Sequence, residues 1–342
     1  LAFVPAPRTL SRYIKFPKRL SNNKESYIFL SSLIHENIDK LFPGLQVRGC
    51  HQFRVTMNSN LVFDDEDLND IKKSLTRLLP ERKYSEAVRL EVAKDCPTDV
   101  LKYLKTQYEL TDLDIYKING PVNLNRFYSI YDDIKLKALK FPEYKSKRES
   151  RYVNNKKEYF DYLKDNDIVL HHPYNDFKLV IGFIKAAVLD KKTRAIKQTI
   201  YRTSPNSEII KLLIKAASRN ISVTVVIELR AKFDEEQNIK IAKMLEDAGV
   251  QVTYGIRKHK THAKALLVVR EEKGKLKNYF HLGTGNYNSE TASQYTDFGL
   301  ISSNKEMGYD IHKFFLQLTG SNKDTSFKHL FISPINSYKK II

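Results

Sequence analysis

The chain has 342 residues, of which 42% are hydrophobic and 29% charged, an ordinary balance for a soluble globular protein with room for two or three domains. Its formal net charge of +18 favours polyanionic partners, namely a phosphate polymer, nucleic acid or an anionic membrane face. No apolar run reaches the ~18 residues of a membrane span, and no zinc-finger, helix-turn-helix or RNA-recognition signature indicates dedicated nucleic-acid binding. Two cysteines exclude a disulfide framework and predict a reduced, cytoplasmic setting.

Residues 1–160 are predicted to form an α+β domain. Helical periodicity from Tyr27 to Leu41 ends at Pro43-Gly44, and alternation predicts a strand from Leu45 to Thr56. Further elements are a helix from the acidic run at Asp64 to about Leu79, a strand over 87–92 and a helix over 97–106. Arg54, Arg82 and Arg89 could face a polyanion, although ion-paired or solvated arginines are the simpler interpretation. The charged stretch 141–160 predicts a linker.

Beyond Asp165, strands and helices alternate. The predicted strands cover 167–170, 195–201, 222–228, 250–254, 265–269 and 278–282, and the helices cover 177–189, 208–218, 235–248 and a segment ending near Leu318. Near-continuous apolar strands indicate an α/β domain whose mainly parallel sheet is covered on both faces. Ligands of such sheets bind at the carboxyl ends of the strands.

The residues best suited to chemistry lie between Gly255 and Tyr295. His262 and Lys264 precede an apolar run, and an extended backbone turns residues two apart to the same face. In the turn Gly283-Thr284-Gly285-Asn286, small residues let backbone N–H groups approach an anion, and an amide can donate to it. An imidazole, a cation and such a turn suit phosphoryl transfer through a histidine. Alone, the His-x-Lys pair is a weak signal, more often a solvated strand end.

Three basic residues follow two of the predicted strands. Arg202 comes after one strand, and Arg230 and Lys232 come after the next. Because both strands end at the same edge of the sheet, we interpret these cations as a phosphate cradle. The alternative is that each is an ordinary solvated loop residue.

Together these segments resemble the bacterial polyphosphate kinases of the histidine type, whose first catalytic domain is related in fold to phospholipase D. The matching segments are PGLQVRGCHQFRVT, EAVRLEV, DIVLHHPY, IYR, ELRAKFDEE, KTHAKALLVVR and HLGTGNYN. The resemblance implies a middle (head) domain at 1–160, a phospholipase D-like α/β catalytic domain at 161–324, and the start of a second catalytic domain at 325–342. We therefore expect a piece of a longer protein, without the family's N-terminal and last domains.

The resemblance also implies roles for individual residues. His262 matches the histidine that becomes phosphorylated, and Lys264 and Asn286 match the lysine and asparagine of the phospholipase D-like elements. Tyr295 matches a tyrosine that contacts the nucleotide. Arg202 and Lys232 match two positions of the magnesium–phosphate site, both normally arginine. Because an arginine cannot ligate magnesium, we expect these two residues to bind metal-bound phosphates.

Several positions depart from the family's pattern. Lys232 offers a point charge where a bidentate guanidinium is expected, so its hold on phosphate should be weaker. Met57 stands where an arginine is usual. The phospholipase D aspartate is absent from the His-x-Lys strand, which Arg270 closes as in the kinase family.

The expected activity is reversible transfer of the ATP γ-phosphate to inorganic polyphosphate through a phosphohistidine at His262, with Mg²⁺ and with ATP or ADP as substrate. We expect a homo-oligomer, and the sequence leaves peripheral membrane association open. One alternative is a phosphodiesterase of the phospholipase D type, which would need a symmetric dimer because the chain has one His-x-Lys motif. Another is an inactive fragment that binds polyphosphate.

Overall fold

The computed structural model describes the whole chain except residues 8, 23–24, 62, 64–66, 68–69, 83–84, 147–157, 205, 257–258 and 321–325. The strands are β1 (Tyr13–Lys15), β2 (Tyr27–Phe29), β3 (Phe53–Met57), β4 (Ala87–Ala93), β5 (Ile115–Ile118), β6 (Ile168–His172), β7 (Thr193–Ile200), β8 (Ser222–Ile227), β9 (Gln251–Thr253), β10 (Lys264–Glu272), β11 (Lys275–Gly283) and β12 (Asp297–Ser302).

The α-helices are α1 (Leu30–Glu36), α2 (Ile38–Leu41), α3 (Ile71–Glu81), α4 (Thr98–Gln107), α5 (Tyr128–Asp133), α6 (Glu158–Tyr162), α7 (Lys178–Leu189), α8 (Glu208–Ala217), α9 (Glu235–Asp247), α10 (Ser289–Ala292), α11 (Lys305–Leu318) and α12 (Ser337–Ile341). Short 3₁₀ turns cover Lys18–Leu20, Asp112–Asp114, Leu124–Phe127 and Lys137–Leu139. The described residues form two compact units, 1–60 with 81–143 and 61–80 with 144–342. No helix in the described ranges is both long and apolar enough to cross a membrane.

The first unit is built around a sheet in which β4 pairs antiparallel with β3 and parallel with β5. Alternate residues of β4, Leu90 and Val92, are fully buried with Leu104 of α4. On the other face of the sheet, Arg54 and Arg89 lie 3.9 Å and 3.1 Å from Glu91. These two arginines are therefore ion-paired, which agrees with the simpler of the two interpretations of the sequence.

Two predictions for the first unit are wrong in their extent. The predicted helix from Tyr27 to Leu41 begins only at Leu30, because Tyr27–Phe29 pairs antiparallel with β1, and it is interrupted at Asn37. The predicted strand from Leu45 to Thr56 is restricted to β3, because β4 offers hydrogen-bonding partners only to that stretch. The predicted acidic helix start at Asp64-Asp65-Glu66 lies outside the described residues, and α3 begins at Ile71.

The second unit contains a sheet of seven strands within the described residues, in the order β6-β12-β11-β10-β7-β8-β9. The prediction of an α/β fold is confirmed, but a mainly parallel sheet is wrong. Only β7, β8 and β9 run parallel, whereas β10 is antiparallel to β7 and β11, and β12 is antiparallel to β11 and β6. A tight turn at Lys273-Gly274, with φ of 49° and 75°, returns the chain from β10 into β11 and so requires antiparallel pairing.

Helices cover both faces of this sheet, as the apolar strands predicted. Residues of α7, α8 and α9 pack with Ile196, Val225 and Leu266 on one face. Residues of α11 pack with Leu267 and Phe280 on the other. The central strands are thus buried on both sides, which holds the residues at the ends of the strands in fixed positions.

Segments near the predicted domain boundaries also pack in the second unit. Tyr159 and Phe160, at the end of the predicted linker, are buried in its core. Asp310 of α11 accepts the backbone N–H groups of His329 and Leu330, which fixes the segment after this helix to it. The domain bounds 1–160, 161–324 and 325–342 stay a prediction.

Candidate functional site

The candidate site lies at one edge of the seven-stranded sheet. The strands β6, β7, β8, β9 and β11 end at this edge, and β10 and β12 begin there. The register makes this explicit, because Lys264 pairs with Gly283 and Gly283 pairs with Gly299. Antiparallel β10 therefore brings its first residues to the carboxyl ends of the parallel strands, where ligands of such sheets bind.

His262 and Lys264 both contact the ring of Tyr201. The imidazole of His262 meets this ring edge-to-face, with centroids 4.6 Å apart, and the Lys264 Nζ lies 5.3 Å from the ring centroid. The Lys264 ammonium also donates to the His262 carbonyl at 2.6 Å. The imidazole is exposed, whereas Lys264 is only 7% exposed. The alternation of an extended backbone therefore places the two side chains together, as the sequence predicted.

Burial favours the uncharged forms of both His262 and Lys264. Burial, with Lys264 and Arg202 nearby, lowers the pKa of His262, and Glu228 acts weakly in the opposite direction. Burial also lowers the pKa of Lys264 to about 8, an effect that Asp297 opposes and Arg202 reinforces. The imidazole is therefore unprotonated at neutral pH, so a ring nitrogen has a lone pair available for attack.

Two of the three basic residues of the predicted phosphate cradle lie together. Arg202 and Lys232 are adjacent, because Arg202 Nη2 donates to the Lys232 carbonyl at 3.1 Å, and Arg202 Nε lies 3.0 Å from Asp234. Both side chains remain partly exposed at the edge. Arg230, by contrast, bonds to Glu228 and to the His259 carbonyl.

The glycine-rich turn is held against the start of β12. Thr284 Oγ1 donates to Asp297 Oδ1 at 2.7 Å and accepts the Phe298 N–H at 3.0 Å. A Cβ at Gly285 would stand 2.4 Å from Asp297 Oδ2, so only glycine lets the backbone pass the carboxylate. Within the described residues, the buried Oδ1 of Asn286 has no hydrogen-bond partner.

A buried histidine supports this turn from the core side. His281 Nδ1 lies 2.8 Å from the Tyr287 hydroxyl, and complete burial lowers the pKa of His281 to about 3. His281 is therefore neutral throughout the physiological range and packs as a hydrogen-bonded core residue. It contributes no charge to the site.

Tyr295 lies in the loop between α10 and β12, two residues before Asp297. Its backbone N–H donates to Thr291 at 2.9 Å, and its side chain is 63% exposed. The structure therefore leaves the ring accessible beside the edge that carries His262, and its nucleotide contact stays a prediction.

Sequence reasoning missed three residues of the site, Tyr201, Glu228 and Asp297. Tyr201 was noted only within a matching segment, although the ring is the surface on which His262 and Lys264 meet. Glu228 and Asp297 are carboxylates that follow or begin strands of the sheet. Their positions at the strand ends, on the same edge of the sheet as the predicted cations, could have identified Glu228 and Asp297 as site residues.

The described residues do not include a cluster of three or more His, Cys, Asp or Glu side chains that could hold a metal ion. Asp234 and Asp297, the carboxylates nearest the cations, are engaged by Arg202 and Thr284. Magnesium is commonly bound by one or two carboxylates together with substrate phosphates and water. Asp234 and Asp297 are thus carboxylates that could share a magnesium ion with substrate phosphates, and magnesium binding stays a prediction.

Comparison with known proteins identifies the family. The model for the polyphosphate kinase middle domain matches residues 1–130, and that for polyphosphate kinase C-terminal domain 1 matches residues 158–324. The chain belongs to the polyphosphate kinase family. It is 42% identical over 342 residues to the polyphosphate kinase of Neisseria gonorrhoeae and 44% identical over 343 residues to that of Xylella fastidiosa strain 9a5c. These alignments cover 100% of this chain but 50% and 49% of the relatives, so it spans about half their length.

A solved polyphosphate kinase has the same fold. The crystal structure of the enzyme from Porphyromonas gingivalis superimposes with a TM-score of 0.71 and 24% sequence identity. The match covers 97% of this chain and 48% of that chain. Both described units thus have counterparts in a polyphosphate kinase structure.

Proposed function

We propose that this chain carries a catalytic centre of a polyphosphate kinase, in which His262 accepts the γ-phosphoryl group of ATP and transfers it to polyphosphate. The observation that carries the proposal is the position of the exposed His262 imidazole against the Tyr201 ring, which the Lys264 and Arg202 cations also contact. Burial, reinforced by these two cations, lowers the pKa of His262. A neutral imidazole is the nucleophile that this chemistry needs. The same cations suit the negative charge of the phosphoryl oxygens.

Two steps complete the reaction. In the first, a ring nitrogen of His262 attacks the γ-phosphorus, a P–N bond forms, and the bond to the bridging oxygen breaks so that ADP leaves. In the second, a terminal phosphate oxygen of polyphosphate attacks the same phosphorus, the P–N bond breaks, and the neutral imidazole is restored. The reverse sequence makes ATP from ADP and polyphosphate. Both steps depend on positioning and charge compensation more than on acid–base catalysis.

The proposal gives the surrounding residues separate roles. Lys264 and Arg202 compensate charge on the equatorial oxygens, and the Asn286 amide donates to one of them. Lys232 binds the more distant phosphates, and Tyr295 contacts the nucleoside. When bound, magnesium would supply positive charge to the ATP phosphates. Homo-oligomer formation, membrane association and a cytoplasmic location stay predictions from the sequence.

Product formation tests this proposal. Polyphosphate made from ATP, and ATP made from ADP and polyphosphate, are measured for the chain and for a version extended through the family's last domain. We expect His262→Asn to abolish both reactions and His329→Asn, at an exposed histidine paired with Glu306, to preserve them. Activity that survives His262→Asn would contradict the proposal. Activity of the extended version alone would show that this catalytic centre needs the last domain.

A further inference from the structure

The backbone that leads into His262 is held by two charged side chains. Residues 259–263 form no strand or helix, so their N–H and carbonyl groups lack ladder partners. Glu228, directly after β8, accepts the Thr261 N–H at 2.6 Å. Arg230 donates from Nη2 to the His259 carbonyl at 2.7 Å. The two side chains are thus hydrogen-bonded to the backbone of residues 259–261, immediately before His262.

Glu228 and Arg230 are also bound to each other. Glu228 Oε1 accepts the Arg230 backbone N–H at 2.9 Å and lies 3.3 Å from Arg230 Nε. Asn238, fully buried in α9, donates to the carbonyls of Glu228 and Tyr201, both at 2.9 Å. The strand end that carries Glu228 is therefore fixed against the strand end that carries Tyr201, the residue on which His262 rests.

Stability alone does not account for this arrangement. Glu228 is 1% exposed, and removing a carboxylate from water costs several kcal/mol that an ion pair often only offsets. Apolar side chains of similar volume commonly give equal or greater stability. A buried ion pair at this position therefore indicates a requirement for a defined backbone geometry.

Residues after His262 are fixed in a comparable way. Thr199 Oγ1 donates to the Ala263 carbonyl at 2.7 Å and lies 3.0 Å from the Ala265 N–H. Side chains of β7 and of the loop after β8 thus bracket the backbone of His262 on both sides.

We propose that Glu228 and Arg230 form an ionic clamp that positions the His262 imidazole for attack on phosphorus, an inference that rests on the function proposed above. In this proposal, neither Glu228 nor Arg230 contacts the substrate. Both are positioning residues that act through the backbone of 259–261. The negative charge of Glu228 has a second effect, because it partly opposes the lowering of the His262 pKa by Lys264 and Arg202.

A chemical probe of the imidazole tests the clamp without ATP. The rate at which diethyl pyrocarbonate modifies His262, followed by mass spectrometry across pH, reports the accessibility and protonation of the ring. The variants are Glu228→Gln and Arg230→Met, with the milder Glu228→Asp and Arg230→Lys. Arg194→Met and Glu271→Gln are matched controls, because they break an exposed ion pair of the same type, 2.8 Å long, on the same sheet.

We expect Glu228→Gln to shift the midpoint of His262 modification to lower pH, because a negative charge is lost. Transfer of phosphate to His262 should fall roughly 10–100-fold, as displacement of a reacting group by about 1 Å does, with nucleotide affinity changed less than about 3-fold. Arg230→Lys should retain more transfer than Arg230→Met, and the controls should match the wild type.

Unchanged modification rates and midpoints in both clamp variants would overturn the inference. If Glu228→Gln or Arg230→Met does not fold, the modification rates and midpoints of Glu228→Asp and Arg230→Lys test the clamp instead. A shifted midpoint, together with no ATP-derived label in either this chain or the extended version, would support the clamp and refute the proposed function. The two claims can therefore fail separately.

Discussion

Among single residues, buried Lys264 lowers the stability of the fold, and it has a proposed role in phosphate binding. Its side chain is 7% exposed, and burial lowers its pKa from 10.5 to about 8. Between these values the unfolded chain keeps the proton that the folded chain has released, so stability rises as pH increases from about 8 to 10.5. The cation that would bind phosphate is lost over the same rise through pH 8.

Lys264→Met should separate these two effects. Removal of a buried ammonium group should raise the free energy of unfolding at pH 7 by on the order of 1–3 kcal/mol, and phosphoryl transfer should be abolished. In the wild-type protein, transfer should decline above about pH 8, and Lys264→Arg should extend activity to higher pH. Denaturant titrations and pH–rate profiles measure these effects. A variant that is both destabilised and active would contradict this account of Lys264.

Lys232 offers a gain-of-function test at the residue where the family normally has arginine. Lys232→Arg should raise affinity for polyphosphate roughly 2–10-fold, because a guanidinium binds two phosphate oxygens at once. Lys240→Arg, on the exposed face of α9, is the matched control and should leave affinity unchanged. Binding isotherms at constant ionic strength are the measurement. Equal affinities for both variants would remove Lys232 from the phosphate site.

Among elements, α3 matches the family's middle domain in sequence but packs in the second unit. It lies within residues 1–130, which match the middle domain of the family, yet residues 61–80 pack in the second unit. Leu75 is fully buried in the core of that unit, and Lys72 lies 2.9 Å from Glu246 of α9. This helix therefore contributes to the unit that carries His262.

Leu75→Ala tests that contribution. Loss of a fully buried leucine should reduce the free energy of unfolding of the second unit by about 2–5 kcal/mol, whereas Thr76→Ala, at the exposed neighbouring position, should change it by less than about 0.5 kcal/mol. Because the chain has no tryptophan, circular dichroism and tyrosine fluorescence are the suitable probes. Equal effects of the two substitutions would show that α3 does not stabilise the unit.

Local patterns predicted some elements well and others poorly. The helices α7, α8 and α9 were predicted to within one residue at each end, because apolar periodicity is a local property of the chain. β12 was not predicted, since DFGLIS lacks the long run of β-branched residues that marks the central strands. The direction of β10 could not be read either, because it depends on which distant strand becomes its neighbour.

The same distinction explains what was predictable in the site. The convergence of His262 and Lys264 follows from alternation within three residues. The clamp does not, because a glutamate and an arginine after a strand are indistinguishable in sequence from solvated loop residues. Only packing shows that Glu228 is buried and bound to Thr261.

For the molecule as a whole, the net charge of +18 and the site form a consistent picture. A basic protein attracts polyanions over distances of about a Debye length. In the proposed function, the cations at the edge of the second unit's sheet would hold the phosphates beside His262. The central claim is that a covalent phosphohistidine forms there. That intermediate can be observed directly.

The most direct measurement is incubation with magnesium and ATP radiolabelled at the γ-phosphorus, for the wild type and for His262→Ala, in this chain and in a version extended through the family's last domain. We predict label that is labile in acid, stable in alkali, located on the peptide containing His262, and absent from His262→Ala. Label that persists in His262→Ala, or the absence of label from both lengths of the wild-type protein, would contradict the account.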